Sequence, residues 1–360
     1  MKEYPIGLIP GPVSVPRKIR EAWLTNYGSS DLEREFFELY AENQKLIQRL
    51  LGTNESVVIT SGEAMSVLWG ALKSTLKAGD RLLAVAGGLF GDGFADMGKE
   101  IGASVETVSS EYDSLPDPEK VRAAALRFRP KMIAAVHCET PSGTITPLKA
   151  LGDVAREVGA LFLVDFVSSG GGVAVDVDDS HIDIGLLGSQ KALSLPPSLA
   201  ISTLSATAWD AIEKTRYSGY DAYLPWRNVP SHPAMPYTHD WHSMTALNIS
   251  LSSIMEEGTE HVFARHFRAG ALCRSAAKEI GLKLFPVSDA ICSPTVSAFY
   301  VPEGWTWEKF DGALRGRGLA VGGNYGRLAG KVFRIGHMGS QADESLIRHG
   351  MEIIKDVLKR

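Results

Sequence analysis

Gly188-Ser189-Gln190-Lys191-Ala192-Leu193 is the stretch on which the reading of this chain turns. It follows a short, largely apolar run over 182–187, which reads as a buried strand. A second apolar run, 160–164, leads into Asp165, which precedes Lys191 by twenty-six residues. Both polar groups thus stand at the carboxyl ends of strands. In an open α/β sheet that edge is where ligands collect.

Working outward, strands and helices alternate. Residues 33–51 repeat apolar side chains at helical spacing, and 57–60 is a short strand turning at Ser61-Gly62 into a helix. Strands are predicted over 81–86, 103–108 and 131–136, with helices over 92–101, 118–128 and 147–158. This alternation argues for an α/β fold with a mostly parallel sheet flanked by helices. Beyond Lys191, 199–204 reads as a strand and 206–214 as a helix. Residues 217–242 are rich in Pro, aromatics and His; a loop this long inside a compact protein is usually functional. Residues 244–280 are mainly helical. Strands near 282–286, 295–301, 318–322 and 331–335, with helices near 306–316 and 343–358, form a small α+β unit. The expected organisation is an N-terminal arm over 1–15, a large ligand-binding domain over 16–257 and a small C-terminal domain over 258–360. Three prolines and two glycines within 6–16 make the arm extended.

A chain of 360 residues has room for such a core, and 44% hydrophobic with 22% charged residues is ordinary for a globular protein. Net charge is −5 without a basic block, which argues against nucleic acid as a partner. The three cysteines, Cys138, Cys273 and Cys292, are odd in number and far apart, so neither a disulfide framework nor a zinc ribbon is expected. No apolar run reaches the ~20 residues of a membrane helix, and no signal-peptide pattern opens the chain. A cytoplasmic enzyme without a membrane partner is the expectation. His239-Asp240-Trp241-His242 lacks a third ligand, so no metal is expected. Neither GxGxxG after a strand nor GxxxxGK[ST] occurs.

A lysine that attacks an aldehyde must be neutral, so its pKa must fall from ~10.4 through burial or a nearby positive centre. Lys191 lies between a buried strand and a Pro196-Pro197 turn, which suits this. The rival reading is a surface lysine. Asp165, directly after four apolar residues, calls for a cationic partner. The ring nitrogen of pyridoxal phosphate would serve, and a helix cap or an arginine pair is the rival. Thr60-Ser61-Gly62-Glu63 lies where helix amides can hold a phosphate, or forms a plain capping box of Thr60 with Glu63. Phe90, in Gly87-Gly88-Leu89-Phe90-Gly91, can stack on a planar ligand or belong to the core. Arg334, in an apolar strand, suits a bidentate grip on a carboxylate or a structural ion pair.

In the order LVD, GSQKAL with its Pro-Pro turn, and Gly330-Lys331-Val332-Phe333-Arg334-Ile335-Gly336, the chain resembles the class V, fold-type I pyridoxal phosphate aminotransferases. The likeness runs from Pro10-Gly11-Pro12 to the last helix. It is greatest to the alanine–glyoxylate and serine–pyruvate (serine–glyoxylate) branch. The resemblance implies a Schiff base on Lys191, Asp165 at the ring nitrogen and Val167 under the ring. It implies a stacking role for Phe90 and a place for Thr140 near the phenolic oxygen. Ser61, Gly62 and Gln190 match phosphate contacts, Arg334 a carboxylate clamp, and Thr238 a threonine reaching the neighbouring subunit's phosphate. A homodimer with sites at its interface follows. Glu63 departs from the pattern, since relatives often carry His or another uncharged residue beside the phosphate. Its carboxylate must point away, be capped or touch substrate. The 239–242 segment departs too, in a loop that by resemblance faces the site.

The function so implied is transfer of an amino group from alanine or serine to glyoxylate or pyruvate by a ping-pong route. A 2-aminoethylphosphonate–pyruvate or ureidoglycine–glyoxylate transaminase, or a lyase of the cysteine desulfurase kind, is the alternative. No cysteine occurs in the turn before Arg334, which counts against the desulfurase.

Overall fold

The computed structural model describes residues 4–229 and 234–359; the parts of the predicted arm and long loop at 1–3 and 230–233 lie outside them. The chain opens with strand β1 (Ile6–Leu8), then the helix Arg34–Leu51 and β2 (Ser56–Ser61). Next come β3 (Arg81–Ala86), β4 (Ser104–Ser109), β5 (Met132–Val136), a hairpin of β6 (Cys138–Glu139) and β7 (Thr144–Ile145), and β8 (Leu161–Asp165). β9 (Ile184–Gly188) and β10 (Leu199–Leu204) complete the large sheet. Its seven strands run in the order β2-β10-β9-β8-β5-β3-β4. β4, β3, β5, β8 and β9 pair in parallel, while β10 is antiparallel to both its neighbours. Every residue of β5, β8 and β9 is buried, as central parallel strands covered on both faces must be.

Helices cover this sheet with conventional ends. Pro118–Phe128 starts on Asp117, whose side chain accepts the Glu119 N–H, and Leu148–Val158 stops at left-handed Gly159. The predicted 244–280 helix is two helices, Trp241–Glu257 and Thr259–Glu279. Gly258, at φ +87°, breaks them, a conformation closed to most side chains.

A second apolar core holds the C-terminal part. β11 (Val296–Tyr300) pairs with β13 (Val332–Gly336), while β12 (Leu319–Val321) pairs with β1. Ile6 and Leu8 are buried with Leu319, Phe333, Ile335, Ile347 and Ile354. The extended arm therefore contributes a strand to the C-terminal core before it crosses to Lys191. The strand expected over 282–286 is not formed; that stretch has one isolated bridge, Leu284 to Phe299.

Candidate active site

A cavity of about 370 Å³ opens at the carboxyl edge of the large sheet. Glu63, Phe90, Thr140, Asp165, Val167, Gln190 and Lys191 all line it. Each follows a different strand or shares one with a near neighbour, so the topology alone gathers them. A larger cavity, about 440 Å³, opens among Glu55, Arg156, Asp178, His181 and Asp183. It contains no lysine amine, so volume does not select the site here; the chemistry does.

Lys191 lies where the chain leaves β9, and its Nζ donates to the Pro10 carbonyl at 2.6 Å. Gly11 arches over it at φ +90°; a Cβ there would sit 2.5–2.7 Å from Lys191 Cδ, Cε and Nζ. Burial, aided by the Arg334 guanidinium, pulls the amine's pKa down to about 8. At pH 7 roughly one amine in ten is then neutral, against about one in three thousand for an ordinary lysine. The rate at which the ligand-free chain condenses with pyridoxal is therefore expected to rise about tenfold per pH unit below 8 and to flatten above it. Stopped-flow absorbance across pH 6–10 checks this, and a flat profile would contradict it.

Asp165 ends β8 and is 6% exposed. Its Oδ1 accepts the Val167 N–H at 2.8 Å. Burial pushes its carboxyl up to about 6, with Glu63's charge adding to the effect. A carboxylate so placed retains acceptor capacity for a cation in the cavity. Thr140, in the β6–β7 turn, hydrogen-bonds to Ser168. Glu139 beside it was not singled out from sequence. Its carboxylate accepts the N–H groups of Phe90 (3.1 Å) and Gly91 (2.7 Å), capping the helix Leu89–Glu100 and fixing Phe90 at the cavity wall. Nothing local in the sequence links residues 90 and 139. Arg334, on β13, is 5% exposed, and its Nε and Nη2 donate to the Gly323 carbonyl at 2.8 and 2.5 Å. Its guanidinium lies 5.0 Å from the Tyr325 ring, itself a cavity wall. Among the described residues no carboxylate forms an ion pair with it.

Ser61, Gly62 and Thr238 do not line the cavity. Ser61 Oγ accepts the Asp240 N–H at 3.2 Å and lies 3.4 Å from His239 Nδ1. The Gly62 N–H goes to the Ser198 carbonyl at 2.8 Å. Thr238 donates to Asp31 Oδ2 at 2.8 Å within the same chain. The 239–242 segment, expected to face the site, packs elsewhere: His239 is buried with its Nε2 3.0 Å from the Ile59 carbonyl, and Trp241 stacks on Tyr27. The Thr60–Glu63 capping box is not formed either. Thr60 bonds to the Ala200 carbonyl, whereas Glu63 Oε2 accepts the Met65 N–H at 2.8 Å.

A buried amine, a buried carboxylate and apolar walls share one cavity, an arrangement that suits a pyridoxal-binding enzyme. The chain matches the family Aminotransferase class-V over residues 17–323 and belongs to it. It is 33% identical to L-aspartate–glyoxylate aminotransferase of Paracoccus denitrificans, covering 93% of this chain and 86% of the relative. It is 31% identical to pyridoxamine–pyruvate transaminase of Mesorhizobium japonicum, over 95% and 90% of the two chains. Among solved structures, alanine–glyoxylate aminotransferase of Nostoc sp. superposes with a TM-score of 0.95 at 28% identity, covering 99% and 96%. The fold is that of the fold-type I aminotransferases.

Class V aminotransferases depend on pyridoxal phosphate, and the residues at the ring end of this cavity suit it: Asp165 would meet the ring nitrogen, Lys191 the aldehyde, and Phe90 and Val167 the faces. The phosphate end does not fit in the same way. Beside the helix Met65–Thr75, Glu63's own carboxylate takes the Met65 N–H and, at 2.6 Å, the Gln190 side-chain amide.

Proposed function

We propose that this aminotransferase moves the amino group of a small amino acid, alanine or serine, to a 2-oxo acid, glyoxylate or pyruvate, in two successive half-reactions. The observation that carries this reading is the depressed pKa of Lys191 in a cavity it shares with Asp165. A bound pyridoxal ring supplies an aldehyde to carry the amino group and a sink for the electron pair left at Cα. Lys191 Nζ, once free, takes the proton from substrate Cα and returns it on the ring side. Asp165 favours a protonated ring nitrogen because its charge lies in a dry cleft. Arg334 pairs with the substrate carboxylate, orienting the Cα–H bond toward Lys191.

Small donors are favoured because, among the described residues lining the cavity, no arginine offers itself to a side-chain carboxylate. Arg227 is held by Glu213 and lies 4.7 Å from the Trp209 ring, and Arg327 lies against Tyr112. Desulfurase chemistry is disfavoured because all three thiols are buried, and burial raises Cys138, Cys273 and Cys292 to about 11, 12 and 11. Thiol alkylation of the native chain is expected to leave turnover within about twofold of the untreated rate. We also propose a homodimer. Leu24 and Leu32 are 82% and 83% exposed, apolar surface of the kind a second copy covers.

The test is a screen of amino acids for loss of the lysine-linked ring's visible absorbance, then of 2-oxo acids for its return. Alanine or serine with glyoxylate or pyruvate is expected to complete the cycle. Return without a 2-oxo acid would point to a lyase, and response only to larger donors would overturn the substrate assignment.

A further inference from the structure

We propose that Glu63 sets this site against a phosphorylated ligand, and that the amino carrier it admits is the unphosphorylated vitamer: pyridoxal takes the amino group from the amino acid in one half-reaction, pyridoxamine passes it to the 2-oxo acid in the other, and each form is free to enter and leave as a substrate. The proposal rests on the transaminase reading above.

Several donors at the expected phosphate end are already engaged. Met65 N–H and Gln190 Nε2 bond to the Glu63 carboxylate, Ser66 N–H to the Glu63 carbonyl and Gly62 N–H to the Ser198 carbonyl. Ser61 Oγ accepts the Asp240 N–H and lies 3.4 Å from His239 Nδ1, and Thr238 donates to Asp31. The anion cradle at the start of the helix Met65–Thr75 thus contains an anion built into the chain. Glu63 lines the cavity, and its charge is felt at both Asp165 and Lys191. Among the described residues lining the cavity, Lys191 is the one cation, and it stands at the aldehyde end. A phosphate dianion placed beside Glu63 meets like charge and finds the Met65, Ser66 and Gln190 donors already taken.

A hydroxymethyl group in the same place has the opposite fit. It is neutral and carries an O–H to donate. A carboxylate has about four acceptor positions, and two here are taken, by Met65 and Gln190. The ring end is unaffected, because Asp165, Lys191, Phe90 and Val167 address atoms common to both vitamers. Without a phosphate anchor the ring is free to leave whenever it is not linked to Lys191, so it exchanges at each turnover and behaves as a substrate.

The chemistry balances without an added oxidant. The aminomethyl carbon of pyridoxamine is oxidised to the aldehyde while the oxo carbon of the acceptor is reduced to the amino carbon. Condensation of amine with oxo group releases one water, and hydrolysis at the aldehyde carbon takes one up. Lys191 removes a proton from the aminomethyl carbon and delivers one to Cα of the new amino acid.

The experiment compares the full-length chain with Glu63→Gln, which keeps an acceptor for the Met65 N–H and removes the charge. Affinities for pyridoxal and pyridoxal phosphate are measured by calorimetry, and pyridoxal formation from pyridoxamine with pyruvate or glyoxylate by absorbance. The expected result is pyridoxal bound at least about tenfold more tightly than its phosphate. Glu63→Gln is expected to tighten phosphate-form binding by a similar factor and to weaken pyridoxal, whose hydroxymethyl O–H loses a charged acceptor, so that the preference narrows or reverses. Glu63 is exposed, so the variant keeps its melting temperature. Tighter binding of the phosphate form by the unaltered chain, or no gain in Glu63→Gln, overturns the proposal. If amino acids transfer only through the phosphate form, the proposal fails and the transaminase reading stands. If neither vitamer passes an amino group to any 2-oxo acid, both fail.

Discussion

Lys191→Ala is expected to abolish the visible absorbance of the lysine-linked ring and to lower amino transfer by about a thousandfold or more. On the proposed function two roles would vanish together: the covalent hold on the aldehyde and the movable base at Cα. No other lysine can substitute, since among the described residues lining the cavity Lys191 is the one amine. Its neutral fraction cannot be matched by a surface lysine, whose pKa stays near ~10.4. The fold itself is expected to tolerate the change. The Nζ makes one hydrogen bond, to the Pro10 carbonyl, and releasing a buried amine from an apolar site offsets the loss. The measurement is absorbance and half-reaction rate beside a thermal melt. A variant that melts normally yet keeps both the absorbance and the rate would remove Lys191 from the chemistry.

The central elements were legible because their punctuation is local. The helix Pro118–Phe128 and the strand Leu199–Leu204 have the bounds that their flanking residues predict. The same holds for Asp165 and Lys191, since a polar residue after a buried strand announces itself within a few positions. What the sequence hid is long-range. The helix expected from residue 92 starts at Leu89 instead, because a carboxylate from residue 139 caps its first amides. Strand β1 is unreadable without β12, its partner from the far end of the chain. The reversal of β10 within a parallel sheet has no local mark either. At the site, the motif around Ser61 and Gly62 suggests a phosphate cradle, and nothing in it reveals that the Glu63 carboxylate takes the Met65 N–H and the Gln190 side-chain amide. Local sequence reports which donors exist; packing decides which of them are still free.

Asp165→Asn is expected to separate catalysis from stability, with opposite signs. On the proposed function, the charge of Asp165 would keep the nitrogen of a bound ring protonated. An amide cannot do this, so amino transfer is expected to fall by about two to three orders of magnitude. Without a ring, the same carboxylate is a liability. Its pKa is raised from 3.8 to about 6, chiefly by burial, so the native state binds that proton more tightly than the unfolded chain does. Stability of the ligand-free chain therefore falls as pH rises from about 4 to 6, by an amount on the order of 2–3 kcal/mol once ionisation is complete. Asparagine is nearly the same shape and its oxygen can still accept the Val167 N–H, which Asp165 accepts at 2.8 Å. The ligand-free variant should thus melt higher than the parent at pH 7.5, match it near pH 4, and show a flatter pH dependence between them. A variant that loses activity and stability together would mean that the carboxylate holds the fold, because a group retained for its charge alone cannot destabilise the empty protein by leaving it.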